Sequence, residues 1–270
     1  LERLFLLSSF FYLAYIISAI YAKPDWGLAL KSIVLPHIDL TTGYIFTAIA
    51  VIGTTITPWG QFFIQDYVVD KKLTKDDLKI ERGDVLFGSF LTNFIAFFIV
   101  LATAATLFTN GIHINDAKDA ALALQPLVGE SASILFGLGF LNASIFGAVI
   151  VPVATCYVIT EAFGLESGLN HSFKKAPEFY SLLALSLIVG AGIVVLPIFP
   201  LIQILVATQA LNAILLLPIF VFLYKLSNDK KLLGQYANNK FINIVLLLTI
   251  GGISAAAVLY AISIFFPGLI

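Results

Sequence analysis

A long apolar segment of this chain is interrupted at its centre by residues that break helices. The segment covers residues 43–69, and its middle reads GTTITPWGQFFIQ. Pro58 has no amide hydrogen to donate and clashes with the carbonyl one turn earlier, while Gly60 tolerates unusual backbone angles. In hydrocarbon, such a break is tolerated only where it is buried in protein or lines a hydrated cavity. The sequence therefore predicts two half-helices separated near residues 54–60.

The composition places the whole chain in a membrane. Of its 270 residues, 60% are hydrophobic and only 11% are charged, whereas a soluble domain carries about 25% charged residues. The net charge of −1 argues against a nucleic-acid partner, whose binding surface would be basic. We expect a multi-pass protein of the plasma membrane that is surrounded by the lipid bilayer and acts as a monomer.

Hydropathy predicts seven spans of the length needed to cross a bilayer as helices, which is about 20 residues. We therefore predict an all-α integral membrane protein in which residues 1–270 form a single transmembrane domain. The predicted spans cover residues 4–21, 43–69, 84–109, 131–161, 179–197, 200–226 and 241–266.

Basic residues between the spans predict the orientation, because short cytoplasmic loops accumulate Lys and Arg. The loops after the second, fourth and sixth spans hold eleven basic residues, and the loops after the first, third and fifth hold three. The N-terminus of the chain is therefore expected in the cytoplasm and the C-terminus outside. The eleven residues are Lys71, Lys72, Lys75, Lys79, Arg82, Lys174, Lys175, Lys225, Lys230, Lys231 and Lys240.

The break and the sixth span offer oxygen ligands for a cation. Carbonyls freed near Thr54 and Thr57 lie at membrane depth, where broken helices coordinate transported cations. On the sixth span, Gln209 and Asn212 are three residues apart and share one helical face. Their amide oxygens suit a cation, although such residues also hydrogen-bond neighbouring helices in membrane bundles. Both interpretations are open from the sequence.

No charged residue falls in the middle of a predicted span. Asp66 and Glu161 fall near the cytoplasmic ends of the second and fourth spans, where we expect water or the interface to reach them. A divalent cation site normally needs negative charge as well as carbonyls. The chain is thus expected to provide only the neutral half of such a site, and we predict no catalytic site, no cofactor site and no enzymatic activity.

The segment GTTITPWGQFFIQ resembles the broken sixth helix of the Nramp divalent-metal transporters. ATQALNAILLLP at residues 207–218 resembles their tenth helix, and residues 154–168 and 224–233 are also similar to bacterial members. The resemblance implies the leucine-transporter fold, in which two inverted repeats of five helices meet at a central site. The seven spans would be helices five to eleven, with the second repeat at roughly residues 43–226. Because the chain opens inside an apolar stretch and has no methionine, we expect a fragment that lacks helices one to four and their Asp-Pro-Gly-Asn motif.

Two departures from the family pattern bear on the choice of ion. Common members have Met-Pro-His at the break, but this chain has Thr57 and Trp59 on either side of Pro58. Oxygen is a harder ligand than a thioether, and Mg²⁺ favours oxygen and keeps several of its waters. The pattern is similar to the Nramp-related magnesium transporters. It implies metal ligands at Thr54, Thr57, Gln209 and Asn212, and a hinge or gate at Pro58, Trp59 and Gly60.

The sequence leaves three functions open. The favoured one is a secondary transporter that moves divalent cations, with Mg²⁺ as the ion, by alternating access. A proton-coupled Mn²⁺ or Fe²⁺ importer is the first alternative, although the family's histidine is absent and residues 180–197 carry no charge where many coupled members have arginines. The second alternative is a membrane scaffold or an incomplete remnant that transports nothing.

Overall fold

The computed structural model describes residues 12–196 and 200–266, and within these ranges it contains α-helices and short 3₁₀ turns and no strand. Six of the described helices are long and apolar enough to cross a membrane. The prediction of an all-α integral membrane protein is confirmed. Residues 4–11 of the first predicted span lie outside the described residues, and the rest of that span begins a nine-residue helix at Leu13.

The six membrane-crossing helices match the predicted second to seventh spans to within a few residues, except that the third begins six residues earlier than predicted. The second span consists of two consecutive helices, and each of the others is built on one. In chain order the α-helices of the described ranges are α1 Leu13–Tyr21, α2 Trp26–Val34, α3 Thr42–Thr55, α4 Pro58–Asp70, α5 Leu78–Thr106, α6 Ala117–Ala121, α7 Gln125–Val128, α8 Ala132–Ala162, α9 Pro177–Val195, α10 Leu201–Ser227, α11 Lys230–Leu233 and α12 Lys240–Phe265.

The second span is broken where the sequence predicts it. Helix α3 ends at Thr55, helix α4 begins at Pro58, and Ile56 takes an extended conformation with φ −119° and ψ 101°. The amide of Ile56 still donates to the carbonyl of Ile52 at 2.9 Å, and the helix goes no further. Proline is favoured at the first position of a helix because its missing amide hydrogen is not needed there. The prediction of two half-helices is confirmed.

The described residues fall into two compact units. The first comprises residues 12–37 and 66–196. In it α1 packs against α5 through Ala19 and Ala102, and α8 packs against α9 through Tyr157 and Phe179. A buried hydrogen bond of 2.7 Å from the Ser18 hydroxyl to the Ala123 carbonyl ties α1 to the turn that follows α6.

The second unit comprises residues 38–65 and 200–266, and its centre is the contact of α3 with α10 and α12. Its core includes Ile45, Ile49, Ala210 and Ala213. The small side chains on α10 allow α3 to come so close that a Cβ atom added to Gly53 would lie 1.9 Å from the carbonyl oxygen of Gln209. Small residues commonly bring helix backbones together in this way in membranes.

Asparagines hold the end of α10 to the start of α12. Asn228 and Asn243 exchange side-chain hydrogen bonds of 2.9 and 2.6 Å. The side chain of Asn238 also donates to the Ser227 hydroxyl at 2.9 Å. Asn228 and Asn243 are each both donor and acceptor, and Asn238 is a donor. These bonds limit the free-energy cost of partly burying the amides. The register of α10 against α12 is fixed by these bonds.

We predict that Gly53→Ala destabilises the protein and that Gly43→Ala on the same helix does not. A Cβ atom at Gly53 meets backbone atoms of Gln209 and Ala213 that cannot give way, whereas a Cβ atom at Gly43 meets nothing within 4 Å. Overpacking of this kind costs about 1–3 kcal/mol or more. Thermal unfolding of the purified protein in detergent measures the effect, and equal midpoints for the two variants would contradict the assigned helix contact.

Candidate cation site

The break leaves backbone oxygen atoms without their helical partners. Pro58 has no amide hydrogen, so it cannot donate to the carbonyl of Thr54, its partner in an unbroken helix. The side chain of Thr54 is exposed and that of Thr57 is partly buried. By contrast, the Thr55 hydroxyl donates within α3, to the carbonyl of Val51 at 2.7 Å. Of the three threonines around the gap, Thr55 thus uses its hydroxyl within α3, and Thr54 and Thr57 are the candidate ligands.

Thr57 covers the first turn of α4. A Cβ atom added to Gly60 would lie 3.0 Å from the Thr57 hydroxyl oxygen, so glycine leaves room for this hydroxyl over the start of the helix. The carbonyl end of a helix carries partial negative charge and its amino end partial positive charge. A cation at the break would therefore be attracted to the carbonyl end of α3.

Helix α10 brings its backbone at Gln209 close to the end of α3. The close approach at Gly53 puts the backbone of Gln209 against α3, one residue before Thr54. The side chains of Gln209 and Asn212 are both partly buried, and Asn212 donates to the Gln209 side-chain oxygen at 3.0 Å. This hydrogen bond lies within α10, so it supports the predicted shared face. Gln209 lies beside the broken helix and not on the far side of the unit.

The three residues predicted as a hinge or gate form the start of α4. Pro58, Trp59 and Gly60 are its first three residues. The Trp59 ring is partly buried and lies 6.3 Å, centroid to centroid, from the ring of Phe63 one turn later. The contact holds the indole along α4. Whether it gates a cavity stays a prediction, as does the ligand role of Thr54, Thr57, Gln209 and Asn212.

One expectation about charge is wrong. Asp66 was expected to be reached by water near the end of its span, but its side chain is only 4% exposed. The reason is that Asp66 lies on the face of α4 that meets α8, where the Glu161 side chain reaches it. In the sequence, the four-residue spacing of Asp66 and Asp70 indicates only that the two carboxyl groups share one helical face. Which helix covers that face cannot be read from the spacing.

The amino-acid sequence matches a known protein family. The family model for natural resistance-associated macrophage protein-like (Nramp) proteins matches residues 1–263. The chain is 25% identical over 237 residues to the divalent metal cation transporter MntH of Vibrio campbellii, covering 85% of this chain and 52% of that protein. Similar relatives with the same name occur in Clostridium acetobutylicum, at 24% identity over 86% of this chain and 52% of the relative, and in Yersinia pestis, at 26% over 88% and 57%. The chain spans about half the length of these relatives.

We predict that the break faces water. In a background where the buried Cys156 is replaced by Ala, a Thr57→Cys variant should react with a hydrophilic thiol reagent, because the freed backbone groups require a hydrated or polar environment. Leu248→Cys, on the apolar exposed side of α12, is the matched control and should react slowly since lipid covers it. Labelling is followed by mass spectrometry. Equal, slow labelling at both positions would show that the break is dry.

Proposed function

Since the chain belongs to the Nramp family, we propose that it forms part of a secondary transporter that moves divalent cations across the membrane, with Mg²⁺ as the preferred ion. The observation that carries this proposal is the break between α3 and α4 with Gln209 packed beside it. A broken helix at membrane depth is the usual place where transporters coordinate an ion. The relatives that share the family are named divalent metal cation transporters.

In this proposal the cation binds neutral oxygens of the second unit. Thr54 provides its freed carbonyl and Thr57 its hydroxyl or carbonyl. Gln209 and Asn212 complete the shell through their amide oxygens or through a bridging water. Binding would require Asn212 to release or share the Gln209 oxygen to which it donates, so the pair can exchange a hydrogen bond for a cation. The negative charge that a divalent cation also needs would come from other parts of the intact transporter.

The preference for Mg²⁺ rests on Thr57 and Trp59. Neither side chain offers sulfur or imidazole, which are the ligands that favour transition metals over hard cations. Mg²⁺ loses its waters reluctantly, and a site of small polar side chains can bind it with several waters retained. Pro58 and Gly60 would hold the break open and Trp59 would cover it. The relatives are named divalent metal cation transporters with no particular ion specified, so Mn²⁺ and Fe²⁺ are the rival ions.

The proposal also concerns topology. We place the protein in the plasma membrane as a monomer, with the lysine-rich loops after α4, α8 and α10 in the cytoplasm. In the leucine-transporter fold implied by the resemblance, residues 43–226 form roughly the second inverted repeat of a single transmembrane domain. Rocking of one helix group against another would then expose the break alternately to the two sides.

Uptake by the intact protein in proteoliposomes tests this function and its selectivity. We predict uptake of Mg²⁺ by the wild-type protein, and we predict that Thr57→Met raises the uptake of Mn²⁺ relative to Mg²⁺ because it replaces an oxygen by a thioether. The change in ratio should be about tenfold or less, which corresponds to at most about 1.4 kcal/mol, since the remaining ligands stay hard.

The control for this substitution is Thr47→Met, on α3 and away from the break, where the threonine hydroxyl donates to the Gly43 carbonyl. It should leave the ratio of the two ions unchanged. The pH inside the vesicles is recorded in parallel. Uptake of Mn²⁺ but not Mg²⁺ by the wild-type protein, with acidification of the lumen, would show that the proton-coupled importer is the correct function.

A further inference from the structure

Carboxyl groups gather where α4 ends against α8 in the first unit. Asp66 and Asp70 are one turn apart on α4, and Glu161 is the penultimate residue of α8. Asp66 is buried, with 4% of its surface exposed, whereas Asp70 and Glu161 are exposed. The Glu161 side chain is within hydrogen-bonding reach of Asp66. A buried carboxyl group therefore faces a second one that is in contact with solvent.

The geometry of this pair requires a proton. Two ionised carboxylates have only acceptor oxygens, so they cannot hydrogen-bond to each other. In addition, the Oδ2 atom of Asp66 is buried and has no hydrogen-bond partner among the described residues. An ionised carboxylate would leave half of its negative charge on this oxygen without a donor, which is costly in a buried place. In the neutral acid, this unpartnered atom would be an uncharged carbonyl oxygen, whose burial costs less than that of a charged one.

Among the described residues, no positively charged side chain acts on Asp66 to relieve the pair. The titratable groups that face it are Glu161, Asp70 and Tyr157, and all of them are acids. Asp70 accepts a hydrogen bond from the Tyr157 hydroxyl, and that hydroxyl accepts one from the amide of Leu169 at 3.0 Å. A second acidic side chain, that of Asp70, therefore lies close to Asp66. Like charges gathered in one place disfavour the ionised form of a carboxyl group.

We propose that Asp66 and Glu161 form a proton-binding site that fastens the end of α4 to α8. In the protonated state, the Asp66 carboxylic acid donates its O–H to the Glu161 carboxylate. When the site releases its proton, the O–H bond of Asp66 breaks, its electron pair stays on the carboxylate, and the proton passes to water at the exposed Glu161. A metal ion is a poorer occupant, because in the described part of the chain no group of three or more His, Cys, Asp or Glu side chains is arranged to hold one.

Proton loss has a mechanical consequence. Two adjacent carboxylates repel each other, and the contact between α4 and α8 loses the hydrogen bond that Asp66 provides. Helix α4 is the second half of the broken span and begins at Pro58. The proton site therefore controls how firmly the far end of this half-helix is held. This inference concerns residues outside the proposed cation site and does not depend on which ion is transported.

Infrared spectroscopy of the purified intact protein tests the proposal, because the carbonyl stretch of a protonated carboxyl group is separate from the bands of ionised carboxylates. We expect the wild-type protein to keep one such protonated group at neutral pH and to lose it at alkaline pH. The Asp66→Asn variant should lack the band at every pH above the acidic range. Asp84→Asn, at an exposed position on α5, should keep it.

Thermal unfolding at a series of pH values gives a second measurement for the same variants. The proton is bound in the folded state and absent from the unfolded carboxylates at neutral pH, so stability should fall as pH rises through the release of the proton. Asp66→Asn should lose this dependence because it removes the buried carboxyl group, whereas Glu161→Gln should reduce the dependence without abolishing it because Asp66 stays buried. The proposal is overturned if the wild-type protein shows no protonated carboxyl group at neutral pH, if the band survives in Asp66→Asn, or if Mg²⁺ or Mn²⁺ removes the band at constant pH.

Discussion

The missing amide hydrogen of Pro58 is the constraint on which the rest of the structure depends. An apolar helix can cross a bilayer because each backbone group pairs within it, and one proline at its centre removes a pair that lipid cannot replace. Helix α3 accordingly ends at Thr55 and α4 begins at Pro58. Proline is tolerated best at this first position of a helix. The freed oxygens near Thr54 and Thr57 must then be satisfied by water, by protein or by an ion.

What holds the break in place is the close contact of α3 with α10. Because Gly53 has no side chain, the backbone of Gln209 lies directly against α3 one residue before Thr54. The helix that makes this contact also carries the hydrogen-bonded amide pair Gln209 and Asn212, which we propose as cation ligands. The oxygen-only chemistry of these side chains is the reason for proposing Mg²⁺ rather than a transition metal.

The sequence was sufficient to predict the second to seventh spans and the break, because both depend on local properties. Hydropathy fixes where a helix can cross the bilayer, and Pro58 followed by Gly60 marks the break, whereas Pro152 and Pro218 lie inside unbroken helices. Long-range contacts were not accessible in the same way. Gly43 and Gly53 look alike in the sequence, yet only Gly53 meets the backbone of α10. Likewise, Asp66 lies near a span end and was expected to contact water, but it is buried. Its burial depends on a contact with α8, which is distant in the sequence. The spacing of Gln209 and Asn212 predicted a shared face but not which helix it would face.

The central claim is that a divalent cation binds at the break between Thr57 and Gln209. The most direct measurement is the anomalous scattering of Mn²⁺, used as a Mg²⁺ substitute with a detectable signal, in crystals of the intact protein. The account predicts a peak beside the end of α3, within coordination distance of a Thr54 or Thr57 oxygen and the Gln209 amide, and its loss when Mg²⁺ is added in excess. A peak elsewhere in the protein, with the break empty, would contradict it.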